Sequence, residues 1–306
     1  MDWVHRQMLE LVDESLCGNL QRPCRCNRGN TATVALPTRM NRVFRRLHEN
    51  RVTLKVQEIF YRARGHYAVN IGKHDFRCDP YHIDFWRQAK RGDWEPETFV
   101  ILDRFLSPAS TYVDIGTWIG PTAIYAAKRS KKVYCCEPDF FAYKFLLWNI
   151  QLNALRNIMP FNVAISKADG IQPMGSLGRS LGDSMTSLLV KGARSEQIEV
   201  CCMRWSAWLN LSGARGVDFI KMDIEGAEFD LLPTMKEYLM EHKPTLYLAL
   251  HAPFLDKESQ LYNLNGLIET MRGYRKCFSE KLEPIDIETL ASGEYVNNFR
   301  SILFTD

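Results

Sequence analysis

The sequence predicts an α/β fold: a mostly parallel sheet of seven strands with helices on both faces. Two stretches and one count predict it. Residues 111–139 read as a short apolar strand, a glycine turn, a helix and a second strand that ends on an acid. Residues 217–242 repeat the strand-to-helix turn, with Asp223, Glu225 and Glu228 crowded where the strand stops. Apolar runs that alternate with helical periods bring the count to seven strands. The arrangement is Rossmann-like, with a small β/α extension ahead of it.

The first stretch defines the kind of ligand. Tyr112–Ile115 runs into Gly116-Thr117-Trp118-Ile119-Gly120, a helix follows over 122–129, and the strand Lys132–Cys136 ends on Glu137. A dinucleotide fold needs G-x-G-x-x-G so that backbone can approach a pyrophosphate. Here the glycines are spaced G-x-x-x-G around bulky Trp118, and Asp114 stands two residues before the first. An acid there repels pyrophosphate and suits a ligand that carries cationic groups and no phosphate. S-adenosylmethionine (SAM), with its sulfonium and ammonium, is such a ligand. Glu137 is placed to accept the ribose hydroxyls, as the strand-end acid does in dinucleotide folds. The cofactor side is therefore assigned to Asp114, Gly116, Thr117, Trp118, Gly120, Glu137 and Pro138.

Composition bounds the setting. The 306 residues are 25% charged and 46% apolar, as in soluble globular chains. No apolar run reaches the ~20 residues of a membrane span. The first residues carry acids and no apolar core of a secretory signal. Of nine cysteines, Cys135-Cys136 and Cys201-Cys202 are adjacent, and neighbours on a strand point to opposite faces. Reduced thiols and a cytoplasmic location are expected. Cys24 and Cys26 are too close for the usual zinc spacing. The net charge of +3 is uneven: residues 1–52 hold nine arginines and five acids, and eight of those arginines fall within 22–51.

Taken in order, the chain divides at 52 and 106. Residues 1–52 predict an amphipathic helix over 2–16, a loop over 18–37 and a basic helix over 40–50. Residues 53–106 form a lead-in: short strands at 58–61, 67–71 and 76–78, then helices over 83–90 and from Pro96 to Leu106. Glu95, ahead of the second helix, is placed as a wall of the cofactor site. Residues 107–306 form the main domain. After Glu137 comes a helix over 140–155, with Asn149 and Asn153 on one face. A strand over 157–166 brings Asn162 and Ala164 to the adenine, since ligands cross the C-terminal ends of strands. The Gly/Ser-rich run 167–195 reads as an irregular substrate-side loop carrying Ser184 and Thr186. A strand at 198–202 and a helix at 205–211 precede the second anchor. The strand 217–222 carries Asp223 to the rim beside Glu137, and a helix follows over 229–242. The strand 245–251 delivers His251 to the same rim, and 273–280 pairs with 299–305. Lys221, mid-strand, is expected to snorkel to the sheet edge and is assigned no role.

Six motifs in this order carry a family resemblance: WEPE (94–97), VDIGTWIG (113–120), CEPD (136–139), NIQLN (149–153), NVAIS (162–166) and DFIKMDIEGAE (218–228). On them the chain resembles the FkbM family of class I SAM-dependent methyltransferases across roughly residues 90–251. Thr117-Trp118 depart from the small-polar pair usual in that turn. The resemblance implies a class I methyltransferase fold and methylation of a hydroxyl on a sugar or natural-product-type small molecule; the basic helix over 40–50 would suit an acceptor that is sugar- or phosphate-linked.

A hydroxyl acceptor needs its proton removed, and an imidazole with an ordinary pKa near 6.5 suits that task. His251 is assigned as general base, with Asp223 orienting it or the substrate. Glu225 and Glu228 bind substrate hydroxyls or charge the helix start. Asp223, Glu225 and His251 also suit a divalent ion, but no metal site is assigned. Two other classes stay in view. A nucleic-acid methyltransferase is suggested by the arginines of 22–51, although the near-neutral body and the lack of a base-flipping N-P-P-Y-type loop leave nucleic acid unexpected as a partner. A non-catalytic SAM-fold scaffold is the other. Association into an oligomer is compatible with the sequence.

Overall fold

Strands with no polar face have to be covered on both sides, and the central strands of this chain are of that kind. The computed structural model describes residues 55–178, 180–190 and 197–306. The expectations for 1–52 lie outside the described residues. In chain order the strands are β1 (Tyr67–Ile71), β2 (His74–Cys78), β3 (Thr111–Ile115), β4 (Lys132–Cys136), β5 (Ile158–Phe161), β6 (Ala164–Ile165), β7 (Gly170–Ser176), β8 (Thr186–Ser187), β9 (Gln197–Met203), β10 (Phe219–Met222), β11 (Thr245–Leu250), β12 (Lys276–Ser279) and β13 (Arg300–Thr305).

Seven of them form one sheet in the order β12-β13-β11-β10-β3-β4-β5. The pairs β10–β11, β10–β3, β3–β4 and β4–β5 are parallel, and β13 runs antiparallel to both neighbours. Alternation along each strand feeds two cores. On one face Val113, Ile115, Ile220 and Met222 meet Trp208, Leu232, Met235 and Leu267 from the helices Trp205–Ser212, Glu228–His242 and Lys257–Met271. On the other, Tyr112, Val133 and Phe219 meet Trp86, Leu102, Ile124 and Leu146 from the helices Ile83–Arg91, Pro96–Phe105, Pro121–Ala126 and Phe140–Leu152. Among the described residues no helix is long and apolar enough to cross a membrane. The six described cysteines are free.

Three expectations are corrected. Residues 58–61 are not a strand; 55–64 are helical, since Lys, Gln, Glu, Arg and Ala favour helix and no third strand pairs with the β1–β2 hairpin. The strand expected over 157–166 is two. β5 ends at Phe161, the Asn162 amide bonds to the carbonyls of Glu137 and Pro138, and β6 continues in a different sheet. The run 167–195 is not an irregular loop throughout. It contributes β7 and β8 to a four-stranded sheet ordered β6-β9-β7-β8, around a small core of Ala164, Met174, Val200 and Cys202. That pairing is long-range, and a Gly/Ser-rich stretch carries little local sign of it.

The lead-in is fastened by polar bonds. Asn153 bonds in both directions to the backbone of Arg77, at 2.9 and 2.7 Å. Asn149 accepts from Asp79 N–H at 2.7 Å and donates to Ile119 O at 2.9 Å. The buried Asp79 carboxylate also accepts from the Trp86 indole at 3.0 Å. These bonds place the helix Ile83–Arg91 and, after it, Trp94 and Glu95 beside the glycine turn.

The sheet changes winding direction between β3 and β10, and such a switch opens a crevice at the strand ends. There Asp223 N–H donates to Ile115 O at 2.9 Å. Gly116, at φ 83°, lies so close that a Cβ on it would stand 1.8 Å from Asp223 O. Replacing Gly116 with Ala combines that clash with a left-handed backbone. Urea unfolding is expected to show a loss of about 2–4 kcal/mol; wild-type stability would mean the two strand ends can separate freely.

Candidate active site

Two cavities open over this switch point. The first spans about 540 Å³ of non-atom space, part of it open to solvent. Its walls are largely apolar (Ile115, Val163, Ile165, Met174, Leu188), with Glu137 at the end of β4. The second holds about 1,020 Å³ and is lined by Trp94, Trp118, Phe299 and a set of charged groups. Gly116, Trp118, Ser184, Asp223 and Glu225 belong to both linings, so the cavities adjoin along one wall.

Local structure explains how these residues reach the wall. Trp118 occupies the left-handed region at φ 50°, which a bulky residue adopts only when held there. Its backbone N–H donates to Glu137 Oε2 at 2.7 Å, and its indole N–H donates to Gly182 O at 2.9 Å. Phe85 meets the ring edge-on, 4.6 Å between centroids. Asp139 caps the helix Phe140–Leu152 through Phe141 N–H and also accepts from Gly182 N–H at 2.6 Å. Together these bonds pin the segment that carries Ser184 and Thr186 against the first cavity. Ser187 Oγ donates to Glu225 O at 2.7 Å and ties β8 to the turn after β10.

Glu137 is buried, and its two carboxylate oxygens accept from Trp118 N–H and from Asp139 N–H at 2.8 Å. Burial outweighs those two bonds and pushes its pKa up to about 8.

The second cavity centres on His251. The backbone N–H of His251 donates to Glu228 Oε1 at 2.7 Å, and Nδ1 lies 3.2 Å from the same oxygen. The other Glu228 oxygen accepts from Gly226 N–H. Pinned in this way, the imidazole turns Nε2 toward Asp223 Oδ1 at 3.6 Å and Glu225 Oε2 at 3.4 Å. Glu225 itself sits at φ 53°. Lys221 Nζ donates to Asp223 Oδ2 at 2.8 Å. Burial alone would lower the His251 pKa, but the carboxylates of Glu228, Asp223 and Glu225 outweigh it and push it up to about 9. Burial pushes Glu225 up to about 7. Burial also opposes ionisation of Asp223, but Lys221 and then His251 outweigh it and hold its pKa below the usual carboxylate value.

The sequence-assigned residues fall into two groups. Gly116, Trp118, Glu137, Pro138, Ala164, Ser184, Thr186, Asp223 and Glu225 line the first cavity; Glu95, Thr117 and His251 line the second. Four others reach neither wall. Asp114 is fully buried and accepts from Thr122 Oγ1 at 2.6 Å. Gly120 starts the helix Pro121–Ala126 in a left-handed conformation against Leu146. Asn162 spends its amide on two carbonyls, and Glu228 is fully buried behind His251. The carboxylate within hydrogen-bond reach of the His251 ring is that of Glu228, while the Asp223 oxygen stands 3.6 Å from Nε2 and faces the cavity.

Lys221 was missed. It is buried, not snorkelling, and it lines the second cavity. The available signal was its place two residues before Asp223, which puts both on one side of a strand.

Comparison with known proteins adds the lineage. The family described as methyltransferase FkbM domain matches residues 114–276. An uncharacterized protein of Methanocaldococcus jannaschii, MJ1452, is 39% identical over 57 residues, which is 19% of this chain and 22% of that one. Among solved structures, the methyltransferase FkbM of Methylobacillus flagellatus KT superposes with a TM-score of 0.42 at 16% identity, over 65% of this chain and 44% of that one. M. jannaschii TYW2 in complex with AdoMet gives 0.42 at 15% identity, over 79% and 85%. The chain thus spans under half of that FkbM structure and about a fifth of MJ1452.

The raised pKa of Glu137 sets a sign for stability. Between its ordinary 4.5 and about 8, the folded chain keeps a proton that the unfolded chain releases. The stability linked to that proton is present below about pH 4.5 and is lost as pH rises toward 8. The melting temperature of the ligand-free protein should therefore decline across this window. In Glu137→Gln that decline should flatten; an unchanged slope would assign it to another group.

Proposed function

The chain belongs to the methyltransferase FkbM family, and on that premise we propose that it transfers a methyl group from SAM to a hydroxyl of a sugar or natural-product-type small molecule. The observation that carries the reading is the pair of adjoining cavities: an apolar slot with one buried acid on one side, a charged and aromatic chamber on the other. The lining of the slot suits an adenosine. Val163, Ile165 and Met174 offer apolar contact to a base, and Glu137 stands where a ribose diol would present its hydroxyls. SAM supplies an activated methyl on a sulfonium.

The chamber suits the acceptor. Trp94, Trp118 and Phe299 offer flat apolar faces, and Glu95, Lys221, Asp223 and Arg300 offer charged partners for hydroxyls. The shared wall of Trp118, Ser184, Asp223 and Glu225 is where the two reactants would meet. Fixing that approach in line can supply several kcal/mol of barrier lowering. With SAM bound, its methyl would pass to the acceptor oxygen with the carbon–sulfur electron pair left on sulfur, and the cluster of Asp223, Glu225 and His251 would take up the hydroxyl proton. Glu228 is a positioning residue that fixes which imidazole nitrogen faces that cluster.

Two substitutions test the two sides separately. Glu137→Ala should weaken SAM binding at least tenfold by calorimetry, about 1.4 kcal/mol; unchanged affinity would remove Glu137 from the ribose. His251→Ala should leave SAM affinity unaltered. Its uptake of label into fractionated cell extract from methyl-labelled SAM should fall ~100-fold or more. Near-normal transfer would remove His251 from the reaction.

A further inference from the structure

Most of the fixed charges in the second cavity already have partners. Lys221 is bonded to Asp223 Oδ2, and Arg300 meets Glu280 at 3.4 Å and Glu294 at 2.9 Å. What remains is a cluster facing inward: Asp223 Oδ1, Glu225 Oε2 and His251 Nε2. Among the described residues no hydrogen bond is donated to the Glu225 carboxylate, although it is only 14% exposed. The three residues come from the end of β10, the turn after it and the end of β11.

We infer that Asp223, Glu225 and His251 form a binding site for a divalent cation that takes mixed oxygen and nitrogen donors, such as Mn²⁺. Three features point to it. First, one donor atom from each residue lies within 4.8 Å of the others, with an empty cavity in front of them. Second, the separations of 3.4 and 3.6 Å from Nε2 exceed a hydrogen bond. They fall between the ~3.0 Å and ~4.2 Å that two donors each ~2.1 Å from one octahedral ion keep in cis and in trans. Third, the other imidazole nitrogen is held by the fully buried carboxylate of Glu228. Carboxylate–histidine pairs of this kind fix the ring and raise its donor strength behind a metal ligand.

The inference rests on the proposed reaction only for what the cation does there. It would polarise an acceptor hydroxyl in the same chamber and ease loss of its proton. His251 is then a ligand and Glu228 its positioning residue.

The test is Mn²⁺ binding to the chelator-treated full chain, followed by calorimetry and by electron paramagnetic resonance, without SAM. Saturable binding of one Mn²⁺ per chain is expected, together with a rise in melting temperature. Asp223→Asn and Glu225→Gln should each lower affinity at least ~10-fold, and Glu228→Gln ~10–100-fold. Glu269→Gln, on an exposed helix face, should change nothing. Thermal melting shows which variants stay folded, and the two isosteric ligand variants check each other. Absence of saturable binding to the folded chain, or wild-type affinity in the Asp223→Asn/Glu225→Gln double variant, overturns the site. SAM titration of the same preparation is read separately. SAM binding without Mn²⁺ binding removes the cation alone, and Mn²⁺ binding without SAM binding removes the methyl donor alone.

Discussion

The close approach of Gly116 to Asp223 is the constraint from which the rest of the site follows. Strands β3 and β10 are neighbours in the sheet and far apart in the chain, and both turn away at the same level. A side chain at 116 would collide with the Asp223 carbonyl. With glycine there, the two turns sit side by side, and the residues that follow each strand face a common crevice. Trp118 and Glu137 are organised from one side of it; Asp223, Glu225 and His251 from the other. The separation into an apolar slot and a charged chamber is a consequence of which turn lies over which end of the crevice.

Burial then shapes the chemistry. Carboxylates at the end of a buried strand are costly unless something compensates them. Glu228 is compensated by three backbone and ring donors, Asp223 by Lys221, and Glu137 by two backbone amides. Glu225 has the least compensation and lines both cavities. Its left-handed backbone shows the turn being held away from its relaxed form to put it there. The fold thus gathers the carboxylates of Asp223, Glu225 and Glu228 with Lys221 and His251 at one point of the rim.

The lead-in and the small sheet act as walls. Asn149 and Asn153 hold the β1–β2 hairpin and so bring up the segment with Trp94 and Glu95. Strands β7 and β9 give the run 180–190 a fixed base. Its tip is then anchored by the Trp118 indole and by Asp139. Bulky Trp118, which departs from the small-polar pair usual in this family's turn, serves here as a strut between the glycine turn and that tip.

The sequence by itself determined the seven-stranded sheet, both strand-to-helix turns and twelve of the residues that line the two cavities. Apolar runs, glycine spacing and strand-end acids are local signals, and strand direction follows from them. Only the tertiary structure decided which acid does what. Asp223 and Glu228 look equivalent in the run from 223 to 228. One lies on the cavity wall and the other behind His251, because a strand end and the first turn of a helix aim side chains in different directions. Lys221 looked like a residue that should reach for solvent, and the neighbouring strands left it nowhere to go but toward Asp223. The pairing of 170–176 with 197–203 was equally hidden, since the strand over 198–202 is legible locally but its Gly- and Pro-containing partner is not. Residue type and spacing specify a strand, a turn or an acid; burial and direction, which set charge and reach, exist only once distant segments have met.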